Sequence, residues 1–187
     1  MTPSELRNKL KGVFGFPVTP FRGDLSIDWM CGYGFCAQVA VGGTGEIYSM
    51  TVEENIEAVS TVVKTVNGRM PVVAGVGYNT PMGQAMARGM EAAGADALLV
   101  MPPYYTNAPW EGLLDYYAAI GKSSGLPLSL YSRDWAAFTP DQVAQLCDRV
   151  PTLTFWKDGQ GDARKYQRIM HKVGDRLAWI GGIGDDC

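Results

Sequence analysis

Residues Thr51–Gly77 read TVEENIEAVSTVVKTVNGRMPVVAGVG, and their reading decides the fold. Thr51 is followed three residues on by Glu54, the capping-box spacing that opens a helix, and Asn67-Gly68 supply its stop signal. Pro71–Gly77 then runs as an apolar, β-branched stretch bounded by proline and glycine, which is the composition of a strand. A capped helix delivered straight into a buried strand is the second half of a β-α-β unit.

The same unit recurs along the chain. Strands are expected at 12–19, 38–43, 71–77, 96–103, 127–132, 153–158 and 177–182. Helical patterns lie between them. Thr139 stands as a cap before Pro140, Thr80-Pro81 repeats that opening, and Gly94 closes the helix that Thr80 begins. Seven strands and six intervening helices in strict alternation require a parallel sheet with crossover helices.

Two architectures compete, a doubly wound open sheet and a barrel. Gly75-Val76-Gly77-Tyr78-Asn79-Thr80 lacks the third glycine of the dinucleotide fingerprint, and no phosphate-loop motif is present. Polar residues gather instead after many strands: Thr19, Thr44-Gly45-Glu46, Tyr104-Tyr105, Tyr131 and Lys157. A barrel brings all those strand ends to one mouth, so the expected fold class is an α/β (β/α)₈ TIM barrel. It is expected as a single domain over residues 1–187 with its C-terminal part missing, because such a barrel needs eight units and typically about 250 residues.

Composition excludes several function classes. A net charge of −3 gives no electrostatic reason to expect nucleic acid or an anionic membrane as partner. The longest apolar runs, such as ALLVMPPYY, are too short to span a bilayer, and the polar start has no signal-like apolar region. A cytoplasmic location is expected. Cys31, Cys36, Cys147 and Cys187 form no C-x-x-C pair and read as buried thiols. The single histidine, His171, lies on a charged helix and reads as solvated, against a multi-histidine metal site or a serine triad. Glu46, Asp158, Asp162 and Asp185-Asp186 read as rim carboxylates, solvated or bonded to loop amides. No metal and no cofactor are expected.

FWKDG at 155–159 carries the chemistry. Alternation along the strand puts Leu153, Phe155 and Lys157 on one face and Thr154, Trp156 and Asp158 on the other. An ammonium on an apolar face loses its charge more readily, and the neutral amine is a nucleophile. The plain alternative is a lysine that snorkels to the rim. Tyr131 ends the strand PLSLYS, turned away from Leu128 and Leu130, and is either a proton-transfer phenol or a packed ring with a wet hydroxyl. VGGTGE at 41–46 offers backbone N–H groups and the Thr44 hydroxyl as an anion nest, or is only a glycine turn. Arg133 either reaches a distal carboxylate or pairs with Asp134.

FPVTPF, GGTGE, MPPYY, YSRD and WKDG, in this order and over essentially the whole chain, resemble the dihydrodipicolinate synthase/N-acetylneuraminate lyase superfamily of Schiff-base barrel lyases. GGTGE, YSRD and FWKDG look most like its 5-dehydro-4-deoxyglucarate dehydratase branch. The resemblance implies that Lys157 forms the Schiff base and Tyr131 relays protons. It implies that Gly43 and Thr44 hold the α-keto-acid carboxylate, and that Tyr105 and Arg133 contribute to substrate binding. It also implies a small α-keto sugar acid as substrate, lost water and carbon dioxide as the reaction, and a homo-oligomer, tetramer or dimer. The superfamily's synthases generally carry a threonine where this chain has Gly43, which sets the synthase proton relay apart. A dihydrodipicolinate synthase or another pyruvate-dependent aldolase is the alternative enzyme, and a sugar-acid binding protein on the same scaffold is the alternative outside catalysis.

Overall fold

The computed structural model describes residues 2–19, 34–104 and 107–182. Seven strands pair in parallel and in chain order: β1 Phe14–Gly15, β2 Ala37–Ala40, β3 Val72–Val76, β4 Ala97–Val100, β5 Leu128–Ser132, β6 Leu153–Asp158 and β7 Ala178–Gly181. Each overlaps an expected segment, β2 starting one residue before its own, and most are shorter than expected. Six α-helices are described: α1 Pro3–Lys9, α2 Val52–Val66, α3 Thr80–Ala92, α4 Trp110–Gly121, α5 Pro140–Arg149 and α6 Ala163–Val173. Among the described residues five of them lie between strands, and the expected helix between β1 and β2 falls outside those residues. None is long and apolar enough to cross a membrane.

Helix α2 forms as its caps require. The Thr51 hydroxyl accepts from Glu54 N at 3.2 Å, the Glu54 carboxylate accepts from Thr51 N at 2.8 Å, and Asn67 closes the helix in the left-handed conformation at φ 47°. Helix α5 repeats the box with Thr139 and Gln142. Helix α3 differs from expectation at its start. Asn79, one residue earlier than Thr80, is the cap and accepts from Met82 N at 3.0 Å, leaving Thr80 and Pro81 inside the first turn. An asparagine is at least as good a cap as a threonine, so the earlier residue wins. Helix α1 was not expected at all, although Thr2 and Glu5 form a full capping box ahead of it.

One inward residue from every strand lines a common interior: Phe14, Val39, Val73, Ala97, Ser129, Phe155 and Ile180, with Leu10 behind α1 closing the end. That shared lining is the curl of a barrel sheet. Phe155 and Lys157 face this interior as alternation requires, while Trp156 points out to meet the Phe138 ring, centroids 5.3 Å apart. Leu153, expected on the same face as Lys157, pairs instead with Leu128 across a one-residue irregularity in the β5–β6 register. The skipped residue is Thr154. Beyond it Ser129 pairs with Phe155 and Tyr131 with Lys157, so the irregularity puts the tyrosine beside the lysine rather than beside Trp156.

Of the cysteines, Cys36 and Cys147 are free and half-buried rather than buried, and Cys31 and Cys187 lie outside the described residues. His171 is exposed in the last turn of α6, as its charged surroundings imply.

Candidate active site

The lysine sits where the barrel interior changes from packed to open. Lys157 is 7% exposed, and its Nζ lies 3.8 Å from the centroid of the Phe16 ring and 4.1 Å from that of Tyr131. Two aromatic faces at that range stabilise an ammonium. Burial opposes them, and the nearby Arg133 guanidinium adds like-charge repulsion. Burial is the larger cause, and together they lower the Lys157 pKa to about 8 from an ordinary 10.5. A larger fraction of the amine is therefore neutral near pH 7 than for an ordinary lysine.

Tyr131 stands next to it across the β5–β6 ladder. Burial raises its pKa against the pull of Arg133, which keeps the phenol protonated and able to donate. The last residue of the FWKDG motif explains part of this placement. Gly159 passes under the Tyr131 ring, where a Cβ would lie 2.6 Å from Cε2, and its N–H donates to Ser132 O at 2.8 Å.

The loop after β2 forms the facing wall. Val41 turns out of the strand with a left-handed φ of 51°, a strained state for a β-branched residue. The chain is then held from several sides. Thr19 Oγ1 donates to Gly45 O at 2.5 Å, and Asn55 Nδ2 donates to Ile47 O at 3.1 Å and Thr51 O at 2.9 Å. Tyr78 Oη donates to Met50 O at 2.7 Å and also to Ile47 O. Between these anchors Gly43 and Thr44 are exposed to the cavity. Among the described residues no backbone carbonyl takes their N–H groups, so both donors remain for a ligand anion.

Above Lys157 opens a cavity of about 660 Å³ lined by Phe16, Gly43, Thr44, Tyr48, Leu99, Met101, Tyr104, Tyr131, Arg133, Asp134, Trp135 and Lys157 with Pro102 and Pro103. The structure thus brings together five of the six residues expected from the sequence: Lys157, Tyr131, Gly43, Thr44 and Arg133. The sixth, Tyr105, lies outside the described residues. Arg133 combines both expected behaviours. It pairs with Asp134, Nε to Oδ2 at 2.7 Å, and also lines the cavity. Asp158, on the outward side of β6, accepts from the amides of Gln160 and Gly161 at 3.3 and 3.4 Å, the loop-amide role read from the sequence.

Sequence reasoning missed Phe16 and Tyr48. Phe16 stands in FPVTPF, and its place at the end of β1 was the available signal. Tyr48 sits in a short 3₁₀ turn, Ile47–Ser49, its ring 4.6 Å from Tyr104 and 5.1 Å from Tyr78. Burial raises its pKa to about 12. No spacing rule marks that position.

The chain is similar over most of its length to known proteins. A "Probable 5-dehydro-4-deoxyglucarate dehydratase" of Bradyrhizobium sp. (strain BTAi1 / ATCC BAA-1182) is 44% identical over 98% of this chain. One of the same name from Saccharopolyspora erythraea is 40% identical over 97%. The chain spans about 62% of the length of each of these curated relatives. Among solved structures, the chloride-inhibited dihydrodipicolinate synthase of Acinetobacter baumannii complexed with pyruvate matches with a TM-score of 0.85 at 28% identity. That match covers 92% of this chain and 64% of the other. The model of the dihydrodipicolinate synthetase family matches residues 9–187. With seven barrel strands and this mouth, the chain belongs to the dihydrodipicolinate synthetase family.

Proposed function

We propose that this chain carries the site of a Schiff-base hydro-lyase acting on a sugar-diacid α-keto acid, converting 5-dehydro-4-deoxyglucarate to 2,5-dioxopentanoate with loss of water and carbon dioxide. The observation that carries the reading is the buried Lys157 amine, its pKa about 8, beside a protonated phenol at the floor of an open cavity. The neutral amine adds to the keto carbon, and Tyr131 passes a proton to the departing carbinolamine oxygen. The resulting imine draws electrons from the adjacent carbon, and the Tyr131 phenolate left by that transfer takes the C–H proton to give an enamine. The enamine expels the β-hydroxyl, which takes the proton back from Tyr131 and leaves as water. The distal carboxyl group is then lost as carbon dioxide, its bonding electrons passing into the conjugated imine, and after protonation at carbon from solvent, hydrolysis of the imine releases the product and returns Lys157 as the free amine. Gly43 and Thr44 anchor the α-carboxylate through N–H and hydroxyl donors. The imine is the electron sink, so the reading calls for no metal or cofactor.

The names of the relatives support the dehydratase over a synthase. So does Gly43, which has no hydroxyl to take part in a synthase-type relay. One barrel domain, a homo-oligomeric assembly, a substrate contact from Tyr105 and a cytoplasmic location belong to the same reading.

Borohydride reduction in the presence of pyruvate tests it. The ligand's mass should appear on the peptide containing FWKDGQGD, residues 155–162, and Lys157→Ala should abolish the adduct. Reduction that leaves this peptide unmodified overturns the mechanism.

A further inference from the structure

Among the described residues no carboxylate lies within ion-pairing distance of Lys157 Nζ and no acceptor takes its protons. The described charge that bears on it, Arg133, has the same sign. What surrounds the nitrogen instead is aromatic. The Phe16 centroid lies 3.8 Å away and the Tyr131 centroid 4.1 Å away. Phe16 directly follows β1 and lines both the packed interior below the lysine and the open cavity above it. Tyr131 has a proton to transfer, whereas Phe16 has only the face of its ring to offer.

Charge appears at this nitrogen during imine formation. The neutral amine adds to the keto carbon, and a proton passes from nitrogen to oxygen to give a neutral carbinolamine. Its C–O bond then breaks, the hydroxyl taking the Tyr131 proton and leaving as water. The nitrogen lone pair becomes the second C–N bond, so the nitrogen is left as an iminium cation and Tyr131 as a phenolate. Ring faces within about 6 Å attract such a cation. Burial and the rings act unequally on the two cations this nitrogen can carry. An ammonium is compact and strongly hydrated, so burial penalises it. An iminium has one N–H and spreads its charge onto carbon, so it loses less when water is excluded. Both gain from the ring faces, and the balance favours the iminium.

We propose that Phe16 is a further catalytic residue: its ring face, together with that of Tyr131, holds the iminium cation formed at Lys157 Nζ, so that the charged intermediate is bound more tightly than the neutral amine. The inference rests on the Lys157 reading above and adds the group that stabilises its intermediate. Its distinctive consequence is a dependence on the electrons of the ring and not on its shape alone.

Two replacements separate those properties. A phenylalanine carrying three ring fluorines at position 16 keeps the shape closely while withdrawing the negative charge of the face, and Phe16→Leu removes the face altogether. Borohydride trapping of pyruvate at Lys157, followed by mass against pyruvate concentration, reads the stability of the iminium. It is run at about pH 9, above the amine midpoint near 8, so that the starting amine is largely neutral. The half-saturating concentration should rise about threefold or more with the fluorinated ring, and further with leucine, the range of a partly desolvated cation–π contact. A ring that only excluded water would act alike with or without fluorine. An unchanged half-saturation with the fluorinated ring therefore overturns the proposal, even if Phe16→Leu fails to fold. That result leaves the Lys157 reading standing so long as the native chain is trapped, whereas absence of trapping in the native chain removes both.

Discussion

Below Lys157 the curled sheet closes around about 10 Å³ of free space; above it about 660 Å³ stands open. All seven strands line the lower level, and the upper level is built from the ends of β4, β5 and β6 with the segments that follow the strands. The lower one is made of Leu10, Phe14, Val39, Val73, Ala97 and Phe155, and the upper one includes three tyrosines, Arg133, Asp134, Gly43 and Thr44. Lys157 lines both. The difference teaches how the amine is activated. The packed level strips water from the lysine's stem, and the open level lets a substrate reach its tip, so one position is desolvated and accessible at once. A lysine two residues earlier would be sealed in, and one on the loop beyond would be hydrated.

Breaking the lower level should have the largest effect. Phe155→Ala empties a position 1% exposed at the centre of the packed layer, and it should lower stability by about 3–5 kcal/mol in urea unfolding. A loss below about 1 kcal/mol would show that the lower level is not the rigid support described here.

A smaller change sharpens the comparison at the upper level. Gly159→Ala brings a Cβ to 2.6 Å from Tyr131 Cε2 and 3.0 Å from Ser132 O, so the ring must move. Stability should fall by about 1–3 kcal/mol, and the rate of imine trapping at Lys157 by about tenfold or more, since proton transfer requires close placement. An unchanged trapping rate would separate Tyr131 from the chemistry.

How much of this was legible beforehand follows from the kind of interaction involved. Lys157 was readable because the alternation from Phe155 to Lys157 is a local property of one strand. The βα order was readable for the same reason, since caps and apolar runs are local. The register irregularity at Thr154 was not, because it depends on what β5 presents to β6. Leu153 was assigned to the wrong partner face on that account. Phe16 and Tyr48 reach the cavity from loops whose paths are set by distant anchors, Thr19 to Gly45 and Asn55 and Tyr78 to the turn at Ile47. Phe16 had only its place at the end of β1 to betray it, and Tyr48 had no sequence spacing at all. The approach of Arg133 Nη1 to within 3.0 Å of where a Gly43 Cβ would lie joins residues 43 and 133, and only the folded chain shows it. Asn79 displaced Thr80 as a cap because two good caps stood side by side.

The central claim is that burial between the two levels lowers the Lys157 pKa from the ordinary 10.5 to about 8, so that a reactive neutral fraction exists near physiological pH. Its direct test is an NMR titration of the Lys157 ε-methylene, assigned by comparison with Lys157→Met. Because the folded environment disfavours the charged form, the proton should leave early, with a midpoint near 8, and the fraction of reactive amine should rise as pH passes that value. A midpoint at the ordinary lysine value of 10.5 would contradict the account.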